Sequence, residues 1–144
     1  MVVIRKPKTA EEFTCYYDLR YRILRKPWNQ PRGSEKDGRE NVSVHVIALD
    51  GDTVVGVGRI HLNTDEESQV RYMGVENGHQ GKGIGGKILK KLEREAVRMK
   101  AKSIVLDARQ GSVPFYKKHG YKVTGLSHTL FGTIAHMRMK KELK

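Results

Sequence analysis

Cysteine is nearly missing from this chain: Cys15 stands alone among 144 residues. A lone thiol excludes an intramolecular disulfide, leaves an intermolecular bridge open on counting alone, and cannot supply a structural zinc site. The six histidines include no close pair at metal-ligand spacing, so no metal is expected. Long apolar runs are also missing, which argues against a membrane-spanning helix, and the opening MVVIRKPK lacks the apolar stretch of a signal peptide. The expectation is a soluble, cytoplasmic protein with a single domain over residues 1–144. Acidic side chains are the third scarcity. Sixteen Asp and Glu stand against 28 Lys and Arg, a formal net charge of +12 at pH 7. Such a field favours anionic partners, whether nucleic acid, a membrane surface or a phosphorylated cofactor, and equally fits a solvated basic surface.

Val2 to Arg5 read as a short strand. Thr9 and Glu12 then form the reciprocal start of a helix, Phe13, Tyr17, Tyr21 and Leu24 recur at helical spacing, and Pro27 ends the pattern. Cys15 lies inside this helix and reads as an inert thiol. Residues 28–41, rich in Pro, Gly, Asn and Asp, read as loop and as the least ordered-looking stretch. Two β-rich runs, SVHVIAL and TVVGVGRIHL, flank Asp50-Gly51-Asp52 and predict an antiparallel hairpin. Residues 69–76, QVRYMGVE, alternate as a further strand. Ile84, Ile88, Leu92, Ala96 and Met99 mark an amphipathic helix with Lys and Arg between them. Residues 103–107 read as a buried strand, Pro114 to Gly120 as a short helix, and Tyr121–Val123 and His136–Lys140 as the last strands.

Between a strand and the amphipathic helix lies NGHQGKGIGG, residues 77–86. A glycine-rich turn in that position lets backbone N–H groups converge on an anion at a helix N-terminus. Three phosphate motifs nearly fit. Gly81-Lys-Gly83-Ile-Gly-Gly86 satisfies the dinucleotide GxGxxG, with Asp107 at the end of a later strand. Yet the preceding strand carries Gln69, Arg71 and Glu76 rather than a continuous apolar run. The same residues with Lys87 match the nucleotide P-loop GxxxxGK, but Ile88 replaces the Ser or Thr whose hydroxyl would ligate magnesium.

The third fits every flank. Gln80-Gly81-Lys82-Gly83-Ile84-Gly85 resembles the pyrophosphate loop of the GNAT superfamily of N-acetyltransferases, Met73-Gly74-Val75 resembles the end of its fourth strand, and Phe115-Tyr-Lys-Lys-His-Gly-Tyr121 resembles its FYxxxGF element. The resemblance spans nearly the whole chain. It implies an α/β fold with a mixed, mainly antiparallel sheet, splayed in the middle and flanked by helices, in the order β-α-ββ-β-α-β-α-β-β. It also implies acetyl-CoA as co-substrate, bound by Met73, Gly74, Val75 and the loop Gln80, Gly81, Lys82, Gly83, Ile84, Gly85 and Gly86. Tyr116 falls on the family tyrosine commonly assigned as general acid. The acceptor implied is a primary amine of a small molecule or a protein, attacking the thioester directly, and a homodimer is possible.

Some positions depart from the family pattern. Gln69 stands where some relatives carry a basic Glu, so the general base is open between a water chain and His136. Glu66 and Glu67 sit in a polar turn and read as solvated surface. Arg109 replaces the Asn with which many relatives contact the cofactor, and that contact is not carried over. The acceptor in such enzymes usually lies against the first helix and the following loop, here Arg20 to Asn41, where Trp28 reads equally as a wall of the site or as a half-buried anchor. Two rival functions remain. One is a nucleic-acid-binding module using the basic face Lys87, Lys90, Lys91, Arg94, Arg98, Lys100 and Lys102. The other is a CoA-binding regulator without catalysis.

Overall fold

The computed structural model describes residues 1–143; Lys144, the last residue of the expected domain, lies outside it. Strand β1 (Val2–Arg5) leads into helix α1 (Ala10–Leu24), whose Thr9 hydroxyl accepts the Glu12 N–H at 3.1 Å. The reciprocal bond expected from Glu12 goes elsewhere. Its carboxylate takes the Lys8 N–H at 2.7 Å and a two-pronged grip from Arg5 at 2.9 and 2.7 Å, so it ties the helix start to β1.

The expected hairpin is β2 (Val44–Asp50) and β3 (Thr53–Leu62), turning at Gly51. It continues into β4 (Glu67–Val75), then helix α2 (Ile84–Arg98), β5 (Ser103–Arg109), helix α3 (Val113–Lys118), β6 (Lys122–Leu130) and β7 (Ile134–Glu142). The element order matches the expected one. The last two strands are far longer than Tyr121–Val123 and His136–Lys140 suggest, because most of β6 is exposed and shows no strict apolar alternation.

Seven strands form one sheet in the order β1-β2-β3-β4-β5-β7-β6, antiparallel except for the β4–β5 pair. Successive side chains of a strand face opposite sides. Val46 and Ala48 therefore pack under α2 with Ile88, Leu89 and Leu92, while Ile47 and Leu49 pack under α1 with Tyr16 and Leu19. Each face thus has its own core, one under α1 and the other under α2 with Val113, Phe115 and Tyr116 of α3 packed against it.

The middle of the sheet is only half closed. Strands β4 and β5 pair over Glu67–Gln69 and Ser103–Val105 alone, pinned by the Ser68 hydroxyl donating to the Ser103 carbonyl at 2.9 Å. Beyond Gln69 they part. A little further on, between Arg71 and Gly74, β4 breaks register with β3, and Tyr72 there adopts φ +58°, a left-handed conformation uncommon for an aromatic residue. From Val70 onward the outer edge of β4 has no strand partner.

Candidate active site

A cleft of about 780 Å³ opens where the two strands part. Of the candidate residues, Met73, Gly74, Val75, Gln80, Gly81, Gly83, Ile84, Gly85, Gly86 and Tyr116 all line it. Lys82 is the exception, exposed and outside the lining. On the cleft side β4 has no strand partner at Met73 and Gly74, as an extended ligand with amide groups would require.

The glycine loop owes its shape to two different demands. Gly81 and Gly83 have φ +79° and +82°, and a Cβ on either would meet nothing within 4 Å; conformation alone selects glycine there. Gly86 answers to packing, because a Cβ would lie 3.1 Å from the His119 ring. Gly83 is the N-cap of α2 and offers no side-chain cap, so the N–H groups of Ile84, Gly85 and Gly86 have no partner among the described residues. The Gln80 amide closes the loop by donating to the Val75 carbonyl at 3.0 Å. His79 lines the same end with a buried Nδ1 that has no hydrogen-bond partner. Free N–H groups at a helix start, with Lys87 and Lys90 beside them in the lining, suit a phosphorylated ligand.

Tyr116 stands at the inner end. Its hydroxyl approaches Met73 Sδ at 3.7 Å, and its ring meets Phe115 and Tyr121 edge-on. Burial pushes its pKa up to about 12 against the opposing charge of Arg109, so it keeps its proton at neutral pH.

His136 lines the same cleft, buried on β7 directly across from Arg109. Its Nδ1 lies 2.9 Å from the Ile134 carbonyl. A carbonyl only accepts, so Nδ1 carries the proton and Nε2 keeps its lone pair. Burial holds the imidazole pKa below its ordinary value, and His128 stacks on it at 4.7 Å. Gln69 lines the cleft with its side-chain oxygen accepting from Asn63 at 2.9 Å. Trp28 does not line it; Ile23, Leu24 and Arg25 represent α1 and its end instead.

The family profile of the acetyltransferase (GNAT) family matches residues 10–121. The chain belongs to the GNAT acetyltransferase family. A relative described as an uncharacterized N-acetyltransferase, YjcF of Bacillus subtilis (strain 168), is 35% identical over 135 residues, covering 94% of this chain and 96% of that protein. Among solved structures, Escherichia coli ElaA superposes with TM-score 0.84 at 19% identity, covering 99% of this chain and 100% of that one. A GNAT family acetyltransferase from Elizabethkingia anophelis with acetyl-CoA bound gives 0.78 at 17% identity, covering 99% and 98%. An aminoglycoside 6'-N-acetyltransferase complexed with coenzyme A gives 0.80 at 19% identity, covering 97% and 96%. The mixed, mostly antiparallel open sheet of this GNAT acetyltransferase is the fold those structures share.

The sequence places Arg25 only within the broad acceptor stretch Arg20 to Asn41, and does not single out His79, Lys118, His119 or His128, which also line the cleft. Nothing in the local pattern separates Arg25 from its neighbours Arg22 and Lys26; its place is set by where α1 ends. The basic face of α2 is divided by the fold. Lys87 and Lys90 join the cleft, while Lys91 pairs with Glu95 at 3.0 Å and Lys102 with Glu66 at 3.3 Å. No helix is long and apolar enough to cross a membrane, and no group of metal-ligating side chains stands together, among the described residues.

Proposed function

We propose that this protein is a single-domain, acetyl-CoA-dependent N-acetyltransferase that moves an acetyl group to a primary amine by direct transfer. The observation that supports it best is the parted pair of strands, with a helix start of unpartnered N–H groups and a protonated, half-buried Tyr116 both lining the cleft between them. Bound acetyl-CoA would supply an acetyl group activated as a thioester. The loop from Gln80 to Gly86 would hold its pyrophosphate, and the free edge of β4 around Met73 to Val75 would align its amide-bearing arm. Cys15 is exposed on α1 and outside the cleft lining, which favours direct transfer over an acyl-cysteine.

The remaining chemistry is proton movement. An amine attacks only when uncharged, and a departing thiolate needs a proton. Tyr116 is the acid: its hydroxyl stays protonated well above neutral pH. His136 is the base the geometry favours over a water chain alone, since its ring is neutral at pH 7 and its Nε2 is free to accept.

Acetyl-CoA should raise the melting temperature whereas NADH and Mg-ATP should not; equal stabilisation by NADH would sink the assignment. Mixing the protein with acetyl-CoA and amines and detecting released CoA then separates an enzyme from a CoA-binding regulator. Tyr116→Phe keeps the packing ring and should cost roughly 10² to 10⁴ in kcat while leaving acetyl-CoA binding near that of the parent, provided chemistry limits turnover. His136→Ala should remove the acid limb of the pH–rate profile, which lies below pH 6.5 because burial lowers the imidazole pKa. An unchanged acid limb would return the role to water.

A further inference from the structure

The positive charge that lines the cleft is spread over two faces, Lys87 and Lys90 on one and Arg25 and Arg109 on the other. Along β5, Ile104, Leu106 and Ala108 belong to the core under α2, so Asp107 and Arg109 stand on the opposite, α1 face. Their register partners on β7, Arg138 and His136, share that face. Arg25, immediately after α1, lines the cleft there as well. The helix start and its glycine loop lie on the other face. Arg25 and Arg109 are thus placed for whatever enters from the α1 side.

Neither guanidinium has a carboxylate. Every other arginine that is not exposed has one among the described residues: Arg5 with Glu12, Arg20 with Glu40, Arg22 with Asp18 and Glu76, Arg59 with Asp37 and Glu40, Arg71 with Asp37, and Arg138 with Asp107. Arg25 is only 8% exposed. It spends Nε on the Ser34 carbonyl and Nη1 on the Leu24 carbonyl, and its other polar neighbour is the Tyr72 hydroxyl, so no carboxylate neutralises it. The Arg109 guanidinium makes no hydrogen bond or ion pair with any described residue, although its backbone pairs with His136 in the ladder. Burial lowers the proton affinity of both, and the charge of Arg25 adds to the effect on Arg109. The one carboxylate in the cleft lining, Asp107, is occupied by Arg138 at 3.1 Å and by the Ser127 hydroxyl at 2.8 Å.

A buried and a half-buried guanidinium, neither with a carboxylate, are costly to hold beside a general acid unless an anion completes them. We propose that the acceptor is a small amine that also carries a carboxylate, gripped by Arg25 and Arg109 on the α1 face of the cleft. The inference rests on the acetyl-transfer reading above and narrows its acceptor. A guanidinium presents a planar fork that matches a carboxylate bidentately, and Arg109 has all its donors to give. The ring of Tyr72 and the β6–β7 turn bound this space: Arg25 lies 5.4 Å from the Tyr72 centroid and 5.4 Å from that of Phe131. A polycationic acceptor would meet uncompensated like charge on this face.

The test presents α-amino acids and short ω-amino acids, each beside its carboxamide and its phosphonate counterpart, to the protein with acetyl-CoA, and reads released CoA. The same ligands are run by thermal shift in the presence of CoA, a measurement independent of turnover. The acids should exceed their carboxamides by about 10²-fold or more in kcat/KM. In Arg109→Gln, which removes no side-chain hydrogen bond or ion pair from the fold, that preference should drop to within about threefold, chiefly through KM, and Arg109→Lys should restore part of it. Carboxamides or neutral amines turned over as well as the acids would overturn the carboxylate site while leaving acetyl transfer standing, and phosphonates preferred over carboxylates would overturn the choice of anion. Stabilisation by the acids, lost in Arg109→Gln, with no CoA released from any amine would uphold the anion site and sink the transferase reading. Neither release nor an acid-dependent shift would sink both.

Discussion

Four guanidinium groups surround the ring of Tyr72, Arg20 at 4.3 Å, Arg71 at 4.6 Å, Arg59 at 4.9 Å and Arg25 at 5.4 Å from its centroid, and they divide by what neutralises them. Three find carboxylates on the segment after α1, whereas Arg25 meets only a backbone carbonyl there. Asp37 takes Arg59 and Arg71, and Glu40 takes Arg20 and Arg59, at 2.7 to 2.9 Å. Tyr16 and His45 extend the same network: Arg20 donates to the Tyr16 hydroxyl at 2.6 Å, which lies 2.7 Å from His45 Nδ1. Arg25 and its neighbour Arg109 have no such anchor. Arginines of one type, within one region, thus do two jobs. Where the chain supplies the counter-charge, the pair fastens a loop to the sheet; where it does not, the cation is left for a ligand.

The contrast is broken most severely from its paired side. Arg59→Ala strips a fully buried cation from Asp37 and Glu40 and should cost about 3–5 kcal/mol in denaturant unfolding. A loss under 1 kcal/mol would mean that the network adds little to the fold.

Acid should attack the same side. Burial would raise the Asp37 pKa, but the hydrogen bond from Arg59, the Arg39 N–H and the nearby positive charges outweigh it and hold the carboxyl well below the usual range. Burial, then the charge of Arg59, pushes the His61 pKa down to about 4. Both folded values lie below their unfolded ones, so both stabilise at neutral pH and lose that contribution as pH falls. His61 loses its share between about pH 6.5 and about 4, and Asp37 its share below about 3.9. Stability measured against pH should therefore decline from near 6.5 and steepen below 4. In Arg59→Ala the decline should be shallower, because the charge that depresses both groups is gone. An identical slope would show that other groups govern acid unfolding.

The smallest effect belongs to the unpaired side. Arg109→Gln removes no bond and should move the unfolding free energy by no more than about 0.5 kcal/mol. A loss above 2 kcal/mol would make Arg109 a structural residue and erase the distinction.

The parts of the protein that were legible early are those with local signatures. The period of Ile84, Ile88, Leu92 and Ala96 announces α2, and the Asp50-Gly51 turn announces the β2–β3 hairpin, because each depends on residues a few positions apart. The pairing at residues 28–41 was not legible. That stretch looks like the loosest in the chain, yet Asp37 and Glu40 bind arginines 19 to 34 positions away. The long β6–β7 hairpin was underestimated for a related reason: β6 is held by its ladder to β7 rather than by an apolar face of its own.

The sequence by itself determined the order of elements, the glycine-rich turn before α2 and the excess of positive charge, since helical period, glycine spacing and a count of ionisable groups are properties of the chain. It also marked Tyr116 through the motif around it. Only the tertiary structure decided that β4 and β5 part after Gln69, that His136 faces Arg109 across a register, and which arginines are satisfied. A charge count says how many cations there are, but whether a cation is neutralised depends on which carboxylate the fold brings within about 3 Å of it, and those carboxylates come from distant parts of the chain.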